Sequence, residues 1–343
     1  MTKIHATLAA GAVSLALGAG MLGAGPALAL DKVSFGTNWL PEAEHGGYYQ
    51  AVADGTYAKC GLDVTIVPGG PQVNNRAMMM AGRLTFNMDG NFLQPFQALK
   101  EGIPLVVVAA DFQKDPQILM THPGRLKDFK EMKTLPKIFV GDNAYQSLYQ
   151  WLEQAYGLKA SQRAVYTFNA APFIADKNSA QQGYVTSEPY AVEKQGGFKP
   201  DVYLMADLGW NTPATLVEAM QSTLDKHPAW VKCFVEGSAI GWANYLYGDP
   251  SKGNAAILKA NPEMTQDQID YSIKAMKDHG IVDSGLSLKE GIGAMSADQI
   301  KSFYEKMVKS GVVDKGLDIS KVFTTKYSNS GASLPVKKKL TDK

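Results

Sequence analysis

The sequence predicts an α/β protein in which parallel sheets are covered by helices and the chain is divided into two domains. Short apolar segments alternate with helical patterns from residue 33 to about residue 205, as in parallel sheets joined by helices. At 343 residues the chain is too long for one ordinary core and suits two. An apolar content of 45% and a charged content of 20% are typical of a folded protein.

Residues 1–29 have the features of a cleavable signal peptide. Lys3 supplies a positive charge, residues 6–22 are mostly apolar, and Ala27-Leu28-Ala29 matches an A-x-A cleavage site. The alternative is an N-terminal membrane anchor, but glycines interrupt the apolar segment and the cleavage motif follows it directly. We therefore expect export, a mature chain that begins near Leu30, and a location in the periplasm.

Residues 33–70 form the first predicted unit, which consists of a strand, a helix and a second strand. Residues 33–39 favour a strand, residues 45–57 can form a helix, and residues 62–67 alternate apolar and polar side chains. Such a unit is long enough for a right-handed crossover between two parallel strands. The loop that carries Trp39 and His45 then lies at the carboxyl edge of the sheet, where open α/β sheets bind ligands.

The same alternation continues along the chain and then stops. Further strands are predicted at residues 84–88, 105–110, 117–121, 137–140, 165–168, 183–186 and 202–205. Helices are predicted at residues 73–81, 92–100, 144–156, 172–177 and 187–195. Beyond Pro213 the pattern is almost entirely helical to about residue 310. Residues 331–343 are predicted to be a polar, solvated tail.

Cys60 and Cys233 are the two cysteines of the chain. They could pair in an oxidising compartment, but we predict two buried free thiols. Two cysteines make no metal motif, and no metal site or cofactor is expected.

The loops after the predicted strands carry aromatic residues beside helix caps and turns. These are Trp39, Phe92, Phe112, Phe173 and Trp210. The Asn, Asp, Ser and Gly residues in the same loops are also ordinary caps, so a single loop carries little weight. Because all these loops share one edge of a sheet, the aromatic residues together predict a small-molecule cleft with flat apolar walls.

Three segments resemble a known family. The sequence WLPEAEHGGYYQAVADGTYAKCGLDVTIVPGG, FQKDP at 112–116 and TSEPY at 186–190 are similar to solute-binding proteins for thiamine-precursor pyrimidines. That family also includes a eukaryotic thiamine-pyrimidine synthase and is related to the taurine, sulfonate and nitrate binding proteins. The resemblance implies a two-lobed periplasmic binding protein fold of type II with two crossings between the lobes. Lobe 1 would comprise residues 30–115 and 206–330, and lobe 2 residues 116–205.

The resemblance also implies where a ligand binds. Carried over onto this chain, the family's binding positions fall on Trp39, His45 and Glu188. The argument from the loops adds Asn91, Phe112, Asn143, Tyr145 and Trp210 as neighbours. For each polar residue, a helix-start or turn role remains an alternative, since Glu188 would also favour a helix N-terminus.

The composition of the loops bears on the class of ligand. The chain has four arginines, none of them in a loop assigned to the cleft: Arg76, Arg83, Arg125 and Arg163. A sulfonate or nitrate would therefore lack a guanidinium partner, and Asp89 and Glu188 would repel it. We expect a planar N-heterocycle that stacks on Trp39 or Trp210 and donates an amine to Glu188. A sulfonate, taurine, nitrate or another small solute remains the alternative.

The expected function is that of the substrate-binding component of an ABC importer, with a permease in the inner membrane as partner. A formal net charge of +1 and the lack of a basic stripe give no case for a nucleic-acid partner, and we expect a monomer. The less favoured alternative is an enzyme like the related synthase. Residues 207–212 hold no cysteine where resembling members carry a run of them, and no catalytic motif appears elsewhere.

Overall fold

The computed structural model describes residues 1–2, 29–71 and 73–342. Residues 3–28 of the predicted signal peptide lie outside the described residues. Within the described residues, no helix combines the length and apolar character needed to cross a membrane.

In the part of the chain that the structure describes, ten strands form two five-stranded sheets. The strands are β1 Asp31–Gly36, β2 Leu62–Val67, β3 Phe86–Asn91, β4 Leu105–Phe112, β5 Gln117–Thr121, β6 Lys137–Val140, β7 Arg163–Val165, β8 Ser179–Tyr184, β9 Asp201–Leu204 and β10 Ala214–Met220. The first sheet has the order β2-β1-β3-β10-β4 and the second has the order β7-β6-β8-β5-β9.

Helices cover both sheets, and the three longest of them lie in the last third of the chain. They are α1 Gly46–Ala53, α2 Thr56–Lys59, α3 Asn75–Met80, α4 Leu93–Lys100, α5 Asp142–Ala144, α6 Gln150–Tyr156, α7 Ala171–Ala175, α8 Glu188–Gly196, α9 Gln221–Lys226, α10 Pro228–Tyr247, α11 Ser251–Ala260, α12 Gln266–Asp278, α13 Ser287–Glu290, α14 Ala297–Lys309 and α15 Leu334–Thr341. A π-helical turn, Tyr145–Tyr149, joins α5 to α6, and a short 3-10 turn, Ala43–His45, precedes α1.

The two sheets define two lobes, which confirms the predicted fold class. We call the lobe of the first sheet lobe 1 and that of the second sheet lobe 2. The chain leaves lobe 1 between β4 and β5, at residues 113–116, and returns between β9 and β10, at residues 205–213. Lobe 2 is therefore a continuous insertion between β4 and β10 of lobe 1.

The first predicted unit is correct in its order and pairing. β1 and β2 pair in parallel, with Val33 opposite Val64. The single helix expected at residues 45–57 is split into α1 and α2, because Gly55 takes a left-handed conformation with φ of 74°.

The largest error concerns β10, where the sequence predicted helix. β10 is the fourth strand of the first sheet and pairs antiparallel with both β3 and β4. Its sequence, ATLVEAM, consists mostly of good helix formers, and it is buried along almost its whole length. A strand buried on both faces shows no alternation, so tertiary contacts decide its conformation.

The prediction of parallel sheets is also wrong, because both sheets contain antiparallel pairs. β5 pairs antiparallel with both β8 and β9, whereas β6 pairs in parallel with β7 and β8. Two strands lie earlier than predicted, since β7 ends at Val165 and β8 begins at Ser179. Residue Phe168 is consequently in a loop, not in a strand.

The two cysteines are not free thiols. Cys60 and Cys233 form a disulfide, with their Cα atoms 5.7 Å apart. Helical packing brings them together, because α2 and α10 lie side by side and the ring of Tyr57 stacks on Phe234 with centroids 5.3 Å apart. The sequence separation of 173 residues gave no indication of this proximity.

The end of the chain is also not a solvated tail. Helix α15 packs against α10, and Lys337 of α15 forms an ion pair of 2.7 Å with the buried Asp283. The same ammonium lies over the ring of Tyr247, 5.1 Å from its centroid. The three consecutive lysines at residues 337–339 are typical of a solvated segment, which is why the pattern predicts a tail. Helix α15 nevertheless docks, because Lys337 alone faces Asp283.

We predict that removing the disulfide lowers the stability of the protein. Replacing both Cys60 and Cys233 by Ser should reduce the free energy of unfolding by about 2–4 kcal/mol, because the unfolded chain regains a long open loop. Urea unfolding of the variant and of the oxidised wild type measures the difference. Equal unfolding midpoints in the two proteins would contradict the prediction.

Candidate functional site

The loop after β1 is held in one shape by the turn after β2. The amide of Gly69 donates to the carbonyl oxygen of Trp39 at 3.1 Å, and Asn75 donates to the carbonyl of Thr37 at 2.8 Å. A Cβ atom at Gly69 would lie 2.3 Å from that Thr37 carbonyl oxygen, so only glycine fits here. The position of Trp39 is therefore set by the backbone of the sheet edge.

Trp39 of lobe 1 faces Phe168 of lobe 2. Their ring centroids are 4.8 Å apart and the rings are tilted by 49°. Phe168 is 55% exposed and has φ of 61°, which is rare for a bulky residue. This exposed aromatic ring on a strained backbone, opposite a tryptophan of the other lobe, makes the space between the lobes a candidate binding cleft. The sequence pattern gave no indication of this role, because it predicts a strand at residues 165–168.

Glu188 is held on the lobe 2 side of the same cleft. One carboxylate oxygen accepts from the amide of Tyr184 at 2.7 Å, and the other accepts from the hydroxyl of Tyr166 at 3.3 Å. A Cβ atom at Gly183 would lie 2.6 Å from the Cβ of Glu188, so this glycine makes room for the carboxylate. The ring of Tyr166 lies 5.3 Å from that of Phe168, which connects Glu188 to the aromatic pair.

Two more glutamates approach Glu188 from lobe 1. We call Glu42, Glu44 and Glu188 the acidic group. Burial raises the pKa of Glu42 well above its usual range, and the charges of Glu44 and Glu188 raise it further. Burial also raises the pKa of Glu44 to about 7, with a further contribution from Glu188. Burial raises the pKa of Glu188 as well. Burial and the proximity of these acidic side chains across the two lobes thus disfavour their ionisation.

His45 lies behind this loop and not on its surface. Its side chain is buried, and its Nε2 lies 3.1 Å from the Oδ1 of Asn38. Burial lowers the pKa of His45 to about 3, so the ring is neutral at physiological pH. Such an imidazole positions Asn38 and offers no positive charge to a ligand.

Asn91 and Trp210 meet at a third residue, Asp115, which lies in the first crossing. The indole Nε1 of Trp210 donates to Asp115 at 2.9 Å, and the amide of Asn91 donates to the same carboxylate at 3.2 Å. Trp210 lies in the second crossing and is fully buried, so its face is not available for stacking with a ligand. The hydrogen bond between Trp210 and Asp115 therefore joins the two crossings, which we call the hinge. Asn91 ties the same carboxylate to the end of β3.

The remaining predicted site residues differ in their surroundings. Phe112 is fully buried and packs edge-on against Trp242, with centroids 5.6 Å apart, so it supports the cleft from behind. Asn143 is exposed at the start of α5. Tyr145 is partly exposed and lies under the guanidinium of Arg163, 4.1 Å from the ring centroid.

The arginines nearest to the sheet edges already have acidic partners. Arg76 pairs with Asp89 and with the buried Glu218, the latter at 2.7 Å. Arg163 pairs with Asp142 while it lies on Tyr145. Asp89, which the sequence suggested as a repulsive charge in the cleft, is therefore neutralised within lobe 1.

Helix α12 of lobe 1 contacts lobe 2 beside the acidic group. The hydroxyl of Ser272 donates to the carbonyl of Thr186 at 2.7 Å, and the hydroxyl of Tyr271 donates to that of Val185 at 3.2 Å. Both bonds reach the strand end that leads into Glu188. The two lobes are thus in contact around the cleft, in a closed arrangement.

The comparisons with known proteins agree with this architecture. Residues 42–252, more than half of the chain, match the sequence family described as NMT1/THI5 like, and the chain belongs to that family. A search of curated proteins finds no match.

Solved structures are similar in fold. A protein from Bordetella bronchiseptica is 16% identical with a TM-score of 0.64, covering 89% of this chain and 98% of its own. The periplasmic aliphatic sulphonate binding protein of Escherichia coli is also 16% identical, with a TM-score of 0.60 and coverage of 84% and 91%. The periplasmic nitrate-binding protein of Synechocystis is 13% identical, with a TM-score of 0.59 and coverage of 90% of both chains. At these identities the likeness establishes the fold alone.

We predict that Glu44→Gln stabilises the protein at alkaline pH. The pKa of Glu44 rises from 4.5 in the unfolded chain to about 7, so the folded state holds the proton more tightly. As the pH rises from about 4.5 to about 7, ionisation of this carboxyl group therefore lowers the free energy of unfolding, by up to about 3 kcal/mol. Thermal unfolding at pH 5 and pH 8 should show a more stable variant at pH 8 and little difference at pH 5.

His45 also makes the stability depend on pH, but in the opposite direction. Because wild type and Glu44→Gln both contain His45, the difference between them reports the effect of Glu44 alone. The pKa of His45 falls from 6.5 to about 3, so its contribution to stability is lost as the pH falls through that range. A stability difference between Glu44→Gln and wild type that is the same at both pH values would contradict the prediction.

Proposed function

We propose that this protein is the periplasmic solute-binding component of an ABC importer and holds a small planar N-heterocycle between its lobes. The observation that carries the proposal is the pairing of an aromatic wall with a carboxylate across the cleft. Trp39 comes from lobe 1, while Phe168, Tyr166 and Glu188 come from lobe 2. A ligand that contacts both sides favours the closed arrangement.

The aromatic wall suits a flat ring. In the closed arrangement the rings of Trp39 and Phe168 contact each other with centroids 4.8 Å apart. Offset or tilted aromatic contacts of this kind contribute about 1 kcal/mol beyond the area they bury. A heterocycle that lies against Trp39 can replace Phe168 as its partner at little cost.

The carboxylate suits an amine. Both oxygens of Glu188 already have a donor, yet each can accept a second hydrogen bond, since a carboxylate has about four acceptor positions. An exocyclic amine would form a charge-assisted hydrogen bond there. These features support an aminopyrimidine-like solute, in keeping with the family.

The same features disfavour an anion, the main alternative. The similar structures include proteins named for aliphatic sulphonate and nitrate binding. In this chain, Arg76 and Arg163 are engaged by acidic side chains, and the acidic group lies beside the aromatic wall. Placing an anion there would add negative charge beside carboxyl groups that already disfavour one another's ionisation.

We predict that Glu188→Gln weakens the binding of 4-amino-5-hydroxymethyl-2-methylpyrimidine more than Trp39→Phe does. Loss of the charge-assisted hydrogen bond should cost about 2–3 kcal/mol, whereas a smaller stacking surface should cost about 1 kcal/mol. Titration calorimetry on both variants measures the difference. Glu305→Gln, on the exposed face of α14, is the control and should bind as wild type does.

Calorimetry with taurine and nitrate tests the alternative class of ligand, for which Glu188→Gln should have the opposite effect on affinity. An anion should bind Glu188→Gln as well as or better than wild type, because the variant lacks one repulsive charge. Tight binding of either anion, together with no binding of the pyrimidine, would overturn the heterocycle proposal.

We also predict that a bound solute shifts the lobes toward closure. X-ray scattering should give a smaller radius of gyration with saturating ligand than without it. Weakening the hinge by Asp115→Asn should reduce this change, because the carboxylate that joins the two crossings is lost. An unchanged radius of gyration at saturation would contradict the closure mechanism.

A further inference from the structure

We infer that the solute is a cation, and that Glu44 forms a subsite on lobe 1 that receives its positive charge. The inference rests on the proposed function, because it assumes that a small solute occupies this cleft. It goes further by assigning the charge of the solute and a second recognition point opposite Glu188.

Glu44 is the central residue of this subsite. It lies on the 3-10 turn Ala43–His45, immediately after the loop that carries Trp39. The side chain is only 4% exposed, yet its Oε1 atom has no hydrogen-bond partner. A buried carboxylate oxygen without a donor is costly, and such groups commonly mark a site that a ligand completes.

Two other buried polar atoms near Glu44 also lack partners. The hydroxyl of Thr186, on lobe 2, faces the Glu44 carboxylate without completing a hydrogen bond of normal geometry. The hydroxyl of Tyr245, on α10, is within electrostatic reach of Glu44 and is likewise unpartnered. Both side chains are almost fully buried. Neither belongs to the acidic group, so they indicate independently that a polar ligand atom is accommodated here.

The charges around this point have one sign. After burial, the charges of Glu44 and Glu188 raise the pKa of Glu42, and the charge of Glu188 raises that of Glu44. None of the acidic group forms an ion pair within the described residues. Burial has the largest effect on the pKa of Tyr184 and raises it. The charges of Asp115 and of the acidic group raise it further, so Tyr184 lies close to all of them. A protonated amine would supply donors and a compensating charge at the same time.

The acidic group is assembled by lobe closure. Glu42 and Glu44 belong to lobe 1, whereas Glu188 and Thr186 belong to lobe 2, and the Ser272 hydrogen bond to Thr186 forms where the lobes meet. Closure around a neutral solute leaves the repulsion between the carboxylates in place. A cation between the lobes attracts the carboxylates of both lobes. Closure should therefore be more favourable around a positively charged solute than around a neutral one.

The surroundings favour an organic cation. The aromatic rings of Trp39 and Phe168 adjoin the acidic group through Tyr166, which matches a flat apolar body with a charged end. Within the described residues, no three His, Cys, Asp or Glu side chains are placed to hold a metal ion. We therefore infer an amine-bearing heterocycle in which the ammonium group reaches Glu44.

A matched pair of probes tests the inference. At pH 7.5, 4-amino-5-aminomethyl-2-methylpyrimidine carries an ammonium group and its 5-hydroxymethyl counterpart is neutral. Calorimetry should show that wild type binds the aminomethyl compound at least about tenfold more tightly, as a charge-assisted bond implies. Glu44→Gln should lose most of this preference and change the affinity for the hydroxymethyl compound by less than about threefold.

The outcomes separate this inference from the proposed function. Equal or tighter binding of the hydroxymethyl compound overturns the cation inference and leaves the heterocycle function intact. An equal loss of both affinities in Glu44→Gln also overturns it, because the residue would then be structural. Binding of neither pyrimidine counts against both proposals, and stabilisation of the apo protein by calcium alone would replace the organic cation with a metal ion. Glu305→Gln, at an exposed position on α14, is the matched control and should keep the wild-type preference.

Discussion

The carboxylate of Asp115 is the constraint on which the arrangement of the two lobes depends. It lies in the first crossing and accepts hydrogen bonds from Trp210 in the second crossing, from Asn91 at the end of β3, and from Gln117 at the start of β5. Burial raises its pKa, and these donors act in the opposite direction. A buried charge that is fully hydrogen-bonded is tolerated, whereas a single missing donor would be expensive. Both covalent links between the lobes are thereby joined at one point.

The sequence predicted well where local pattern and final structure agree. β1, α1 and β2 follow from alternation and helical spacing, and the bounds of β5 and β6 match the predicted residues. The sequence failed where tertiary contacts override propensity. β10 consists mainly of helix formers, yet it fills the space between β3 and β4, where its Glu218 meets Arg76. The disulfide and the docked helix α15 depend on contacts between distant segments, which spacing along the chain cannot reveal.

The candidate site shows the same division. Trp39 and Glu188 could be selected because both follow strand ends, and sheet topology brings such ends to a common edge. The sequence could not show that Trp210 and Phe112 are buried, since exposure depends on the helices packed over them. Phe168 could not be selected either, because the pattern predicts a strand at residues 165–168, whereas β7 ends at Val165 and leaves Phe168 in the following loop. Glu44 was passed over because one acidic residue in a loop is unremarkable until its buried, unpaired environment is known.

The insertion of lobe 2 between β4 and β10 sets an order in which the molecule can be built. A chain synthesised from its N-terminus completes all five strands of lobe 2 before β10 exists, so that lobe can fold first as a continuous unit. Until β10 arrives, β3 and β4 have no shared neighbour, and their facing edges are open to wrong partners. The first sheet therefore stays incomplete until residues 214–220 have been synthesised, and the risk of aggregation is greatest between the synthesis of β4 and that of β10.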